Sequence, residues 1–273
     1  MKKTLPLFLV LVSVLVARAQ VIVAPTLLFM SDQSRFGTFI VLNRSNTPQE
    51  ISISFKFGYP ESDSLGNITM QYNDSLMAAK HSCQTWLRGF PEKFIINPGQ
   101  QQVVRLLVTA PQGIPDGEYW TRLVTSSTPQ AQTIDTVKTG ITANITFVLQ
   151  QVTTVIYKKG YVNTSVEIPE ISSMTDSSSV VILAKVLRGG NSPYFGKMVG
   201  SVVDRAGNTV YSGGEIVAIY PDTMMVKFAV PLSKLRSGTY TAEITLVSER
   251  SDITANDLLK VPAVEKKLSF VVQ

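Results

Sequence analysis

The chain has 273 residues, with 25 Lys and Arg against 20 Asp and Glu, and a single His and a single Cys. No Lys/Arg cluster interleaved with aromatics occurs, which argues against a nucleic-acid surface, and one cysteine excludes an internal disulfide. The formal net charge of +5 overstates the basic character, because Lys2, Lys3 and Arg18 lie in a segment expected to be removed, leaving 22 basic residues against 20 acidic.

That segment opens the chain. Met1-Lys2-Lys3 precedes an apolar run over 5–16, and Ala17-Arg18-Ala19 follows as an A-x-A site. A basic start, a short apolar stretch and a small-residue site make a bacterial-type secretory signal. Residues 1–19 are therefore read as a cleaved signal peptide. The apolar run is shorter than the roughly 20 residues a spanning helix needs, and no second long one follows, so the mature chain is expected to have no stable membrane span. Lack of disulfides fits a periplasm better than a eukaryotic secretory route.

Downstream, short β-branched runs alternate with turn signals. Phe-Gly-Thr-Phe-Ile-Val-Leu (36–42) reads as a strand, followed by the turn Asn46-Thr47-Pro48. Over 51–57, Ile51, Ile53, Phe55 and Phe57 alternate with Ser52, Ser54 and Lys56, the period of a half-buried strand. Residues 59–80 read as a loop-rich stretch. Strands follow over 103–108, 119–125 and 141–157, punctuated by Pro98-Gly99 and Pro115-Asp116-Gly117. The chain turns polar at Lys159-Gly160, where a domain boundary is placed. Further strands are expected over 180–186, 200–204, 224–230, 238–247 and 267–272, with a hairpin turn at 204–208 and a break at Ser212-Gly213-Gly214.

One segment recurs. Gly117-Glu118-Tyr119 and Gly238-Thr239-Tyr240 each follow a turn and open a strand. In immunoglobulin-like sandwiches a Tyr at the start of a late strand ties back to upstream backbone. Many short strands at close spacing, with one such Tyr per half, predict an all-β chain. Its expected form is two tandem immunoglobulin-like β-sandwich domains, 20–159 and 160–273, after the signal peptide.

Catalytic chemistry is not legible. His81 and Cys83 are two apart, but a dyad needs an orienting third group and a zinc site needs three or four ligands. Glu61, Asp63 and Asp74 lack calcium-loop spacing, and no Gly-rich loop precedes a helix. No catalytic residue, cofactor or metal is expected, and the function is read as binding.

The first half resembles the periplasmic pilus-assembly chaperones (PapD-like). Val23-Ala24-Pro25-Thr26-Leu27-Leu28-Phe29 is similar to that family's first strand, and Phe39-Ile40-Val41-Leu42-Asn43-Arg44-Ser45 to its second. Phe94-Ile95-Ile96-Asn97-Pro98-Gly99 leading into Gln102-Val103-Val104-Arg105-Leu106 is the closest match. Ile114 to Trp120, and the run over 145–158 that ends in Tyr157-Lys158, complete an ordered set. The resemblance implies a chaperone whose long last N-domain strand supplies a missing edge to an immature β-rich subunit. It places Ile145, Phe147 and Leu149 at the alternating donor positions, although a strand facing its own core would show the same row. It implies an ion pair between Glu118 and Lys158 near the domain junction. The two cations with which the family binds a subunit's terminal carboxylate are absent, their positions being taken by Leu27 and Thr154. Expected partners are a pilus or other secreted β-sandwich client, and a second copy through the exposed edge strand. The alternative is a structural or adhesive cell-surface module.

Overall fold

The computed structural model describes residues 21–130 and 147–273; the expected signal peptide and Ile145 lie outside the described residues. The first half builds two facing sheets. In chain order its elements are β1 (Val21–Ala24), β2 (Leu27–Ser31), β3 (Phe36–Asn43), β4 (Gln49–Lys56), β5 (Tyr59–Ser62), β6 (Ile68–Gln71), α1 (Ser75–His81), β7 (Leu87–Phe90), β8 (Lys93–Ile96), β9 (Gln101–Val108), β10 (Gly117–Pro129) and β11 (Leu149–Lys159). One sheet has the order β1-β3-β9-β7 and the other β2-β11-β10-β4-β8. Period-two patterning does the work here. Val104, Leu106 and Val108 of β9 and Phe39 and Val41 of β3 point inward, against Leu123 and Val155 of the facing sheet. Each fully buried side chain of this kind contributes about 1.5–3 kcal/mol.

The second half repeats the architecture with β12 (Thr164–Thr175), β13 (Ser179–Gly190), β14 (Tyr194–Asp204), β15 (Thr209–Ile219), β16 (Thr223–Pro231), β17 (Gly238–Val247) and β18 (Val264–Val272). Its sheets run β12-β13-β16 and β15-β14-β17-β18 around Tyr194, Ile182, Val202, Ile219, Val230, Ile244 and Leu246. The chain is thus all-β, with two tandem sandwiches. The recurring Tyr makes the same bond in both. Tyr119 Oη donates to the Pro115 carbonyl at 2.9 Å, and Tyr240 Oη to the Arg236 carbonyl at 2.9 Å.

Three readings need correction. The 23–29 segment is two strands, because the chain switches sheets within it: β1 pairs with β3, and β2 pairs in parallel with β11. Ser212-Gly213-Gly214 is no break but the middle of β15, with Gly213 opposite Gly200. Here the glycines serve close approach: a Cβ on Gly200 would lie 2.6 Å from the Phe228 ring, which packs on the sheet at this point. Residues 59–80 are ordered as the β5–β6 hairpin and α1. Asp74 caps α1 by accepting from Met77 N at 2.9 Å and also accepts from Tyr59 Oη at 2.6 Å.

The two sandwiches meet on an aromatic cluster. Phe57, Tyr59, Trp120 and Ile156 from the first pack with Phe195, Tyr220, Ile253 and Leu258 from the second. Trp120 and Tyr220 have ring centroids 4.9 Å apart. The β5–β6 hairpin adds polar braces: Met225 N donates to Ser62 Oγ at 2.8 Å, and Lys227 Nζ to Asn67 Oδ1 at 2.7 Å. Strands β10 and β11 are therefore buried on both faces near this junction, including the polar Glu118, Thr121 and Arg122 of β10.

Candidate functional site

Strand β11 is paired with β10 along its whole length, from Gly117 opposite Lys159 to Ser127 opposite Leu149. On its other side β2 covers only part of it, with Leu27 opposite Thr154 and Ser31 opposite Lys158. Residues 149–153 therefore have no strand neighbour on that side among the described residues. Thr153, Val155 and Tyr157 point into the first core, each 1% exposed or less. The same side-chain row leaves the core at Leu149, which is 39% exposed, and Phe147, just before the strand, is 79% exposed. Val148 and Val152 are exposed as well. Of the three donor positions, then, Phe147 and Leu149 lie outside the core, and Ile145 falls outside the described residues.

Leu27 and Thr154 are direct cross-strand partners on neighbouring strands. On the next strand over, Thr154 is opposite Arg122, so Leu27, Thr154 and Arg122 form one row across the sheet. Sequence reasoning gave Arg122 no role. It is 6% exposed, donates from Nε to the Gly58 carbonyl at 2.9 Å, and donates from Nη1 to Thr154 Oγ1. Its guanidinium carbon lies 5.2 Å from the Tyr220 ring centroid. Among the described residues it has no carboxylate partner. It lines a cavity of about 190 Å³ between the sandwiches, together with Thr26, Leu27, Thr154, Tyr220 and Arg250. Arg250 is held by Asp252 through two bonds of 2.7 Å. The only hint of Arg122 in the sequence is an Arg among Tyr119, Trp120, Leu123 and Val124, in a strand otherwise suited to burial.

Glu118 and Lys158 are opposite one another on β10 and β11. Lys158 Nζ lies 3.8 Å from Glu118 Oε1 and 3.8 Å from Asp257 Oδ1 of the second sandwich. It also donates to the Asp257 carbonyl and sits 4.8 Å from the Phe29 ring centroid. Glu118 is 1% exposed. Burial pushes its carboxyl up to about 7, against the opposing pull of Lys158, while Asp257 adds to the rise. Asp257 was not legible as a member of this group, because it comes from the connection between β17 and β18, 99 positions from Lys158.

His81 and Cys83 do not form a dyad. The His81 ring stacks on Trp120 at 4.6 Å, and burial lowers its pKa. Cys83 is fully buried in the first core, where desolvation pushes its thiol up. Among the described residues no three His, Cys, Asp or Glu side chains gather as metal ligands, and no helix is long and apolar enough to cross a membrane.

No family model matches the sequence, and no curated protein matches it. Among solved structures, the chain is similar to the CupB2 chaperone of Pseudomonas aeruginosa, at 11% identity over 92% of this chain and 100% of that one, with a TM-score of 0.48. It is similar to a chain in the CsuC–CsuE chaperone–tip subunit complex from Csu pili of Acinetobacter baumannii, at 11% identity over 90% and 98%, with a TM-score of 0.47. A third likeness is to a chain in the complex of the Salmonella enterica SafA pilin with the SafB chaperone, at 13% identity over 91% and 96%, with a TM-score of 0.46. TM-scores below 0.5 leave the architecture to be read from this chain's own strands.

Proposed function

We propose that the protein is a periplasmic chaperone-like protein that binds fimbrial or other secreted β-rich subunits by pairing an edge strand of the client with β11. The observation that carries this reading is the edge over 149–153, open among the described residues, with exposed Leu149 on it and exposed Phe147 just before it. Strand addition needs unpaired backbone donors and acceptors beside accessible apolar side chains. The backbone supplies affinity, and alternate side chains supply specificity. The ordered segments that resemble pilus-assembly chaperones point the same way. In this reading residues 1–19 direct export, 20–159 form the binding domain and 160–273 the second domain, with Glu118 and Lys158 joining them through Asp257. No catalytic step is required of any residue.

A structural or adhesive module would have its last strand turned to its own core, and the exposure of Phe147 and Leu149 favours the client reading over it. Without a client, the open edge would pair with a second copy of the chain.

The test is Leu149→Asp, co-expressed in the periplasm with a pilus subunit of the same cell that lacks its closing strand. A charge at this partly exposed position should leave the melting temperature within a few degrees and reduce subunit capture at least tenfold. Unfolding of the variant would make Leu149 a core residue, and unchanged capture would remove β11 from binding; either defeats the proposal.

A further inference from the structure

The second sandwich does not close on itself along one seam. β15 ends one of its sheets and β16 ends the other, so among the described residues each presents an edge with no further strand of that sandwich beside it. The sequence of β15 explains why the seam stays open. Val217 and Ile219 fill the second core, and the same side-chain row continues to Glu215, an exposed charge that cannot fill apolar space. The β5–β6 hairpin of the first sandwich lies over the seam. Its turn comes close to β16: a Cβ on Gly66, at φ +72°, would lie 2.9 Å from Lys227 Cβ. Between hairpin and seam is a cavity of about 200 Å³, lined by Ile68, Met198, Ile216, Val217, Met224 and Val226 among others. Met198, Val217, Met224 and Val226 are buried, whereas Ile68 on the hairpin and Ile216 on β15 are 58% and 60% exposed. The space is thus walled by core side chains and opens between two isoleucines.

The chemistry of the lining selects the occupant. An apolar cavity of about 150 Å³ stays dry and takes up benzene, because a water molecule needs about two to four polar partners. The six side chains named above offer only hydrocarbon and thioether groups. At the rim, Lys227 Nζ already donates to Asn67 Oδ1 at 2.7 Å, and Glu215 is turned to solvent. Two methionines in the wall adapt their shape to a guest, and their sulfurs make favourable contacts with aromatic rings. A polypeptide segment fits the seam less well. Met225 N on the β16 edge already donates to Ser62 Oγ at 2.8 Å, and a charge on the inward row of β15 is a device that discourages strand pairing. We propose that the space between the β5–β6 hairpin and the β15–β16 seam binds a small uncharged aromatic compound, a single ring with a short alkyl substituent. Gly66 and Ile68 come from the first sandwich and the other lining residues from the second, so the guest touches both and holds the hairpin in place. The site is separate from the β11 edge and does not depend on strand addition there.

The test is a titration of ethylbenzene into the full chain with isotope-labelled methionine methyl groups, followed by NMR. Met198 and Met224 should shift saturably, while Met30 in the first core and Met174 on β12 stay unmoved. Val226→Phe fills the space with a ring of its own and should abolish the shifts. Ile216→Lys changes an exposed side chain at the opening, serves if Val226→Phe fails to fold, and should weaken binding roughly tenfold. Ile68→Ser alters only the hairpin and should weaken binding about threefold, which a site built from the second sandwich alone would not show. Phenylacetate, the same ring with a carboxylate, should bind roughly tenfold more weakly than ethylbenzene. Absence of saturable shifts at Met198 and Met224 would overturn the site, as would the same affinity in wild type and in a folded Val226→Phe or Ile216→Lys. Unchanged affinity in Ile68→Ser would overturn the bridging of the two sandwiches, and equal binding of phenylacetate would overturn the choice of an uncharged guest.

Discussion

Glu118 makes a sharp prediction about pH. Its carboxyl is held at about 7 in the folded chain against an ordinary value of 4.5, mainly because burial disfavours its charge. A raised carboxyl binds its proton more tightly folded than unfolded, so it adds no penalty below about pH 4.5. The penalty grows as pH rises through the interval and is complete above about 7. A shift of that size corresponds to roughly 3 kcal/mol at 1.36 kcal/mol per unit, of which about 2 kcal/mol develops between pH 5.5 and 8. Glu118→Gln keeps the shape and removes the titration. The opposing Lys158 still has Asp257, so the variant does not leave that ammonium unpaired. Urea unfolding of wild type and Glu118→Gln at pH 5.5 and 8 is the assay. The stability difference between the two proteins should move in favour of the variant by about 2 kcal/mol from the lower to the higher pH. His81, lowered by its own burial, acts with the opposite sign: its neutral folded form costs stability as pH falls below its ordinary value of 6.5. Because both proteins contain His81, its effect cancels in the comparison. Parallel pH profiles for wild type and variant would refute the reasoning and show that Glu118 stays ionised through its pairing with Lys158.

Tyr119→Phe removes one bond to upstream backbone and Tyr240→Phe two, since its Oη also accepts from Arg236 N at 3.0 Å; each bond should cost about 1 kcal/mol in urea melts, and costs near zero would show that the two corners hold nothing. Gly200→Ala places a Cβ 2.6 Å from the buried Phe228 ring, and should destabilise by about 1–3 kcal/mol, with partial recovery in the double variant with Phe228→Leu. Asp74→Ala removes the α1 cap and the acceptor of Tyr59, and should cost about 1 kcal/mol. Amide exchange in α1 should quicken at the same time.

The strands legible in the sequence are those with one face in a core and the other in solvent. β4 alternates in sequence, Ile51, Ile53 and Phe55 against Ser52, Ser54 and Lys56, whereas β3 and β9 alternate in burial and read as strands from β-branched and apolar content, with Phe36, Ile40, Val103 and Leu107 on their exposed face. β12 was missed because its pattern is thin. It is an edge strand with Val166 and Ile168 as its buried apolar residues, and its register shifts between Glu167 and Glu170, around Pro169. The β5–β6 hairpin was missed for a different reason. Its residues brace the second sandwich instead of filling the first core, so the apolar Ile68 and Met70 stand exposed on a four-residue strand, and the Pro60 of its partner reads as a turn signal. Arg122 was invisible in a third way. A mid-strand Arg reads as a solvated side chain until the second sandwich is known to cover that face of the sheet.

The open edge depends on where the chain crosses between sheets. β1 ends at Ala24 in the sheet with β3, and β2 begins at Leu27 in the sheet with β11. Alternation cannot reveal this, because Val21, Val23 and Met30 are all buried in the same core whichever sheet carries them. The crossing leaves 149–153 without β2 as a neighbour, since the part of the chain before Leu27 pairs elsewhere. In the proposed reading, shifting the crossing by a few residues toward the N-terminus would lay β2 along this edge and close it to a client strand, so the capacity to add a strand resides in the placement of one crossover.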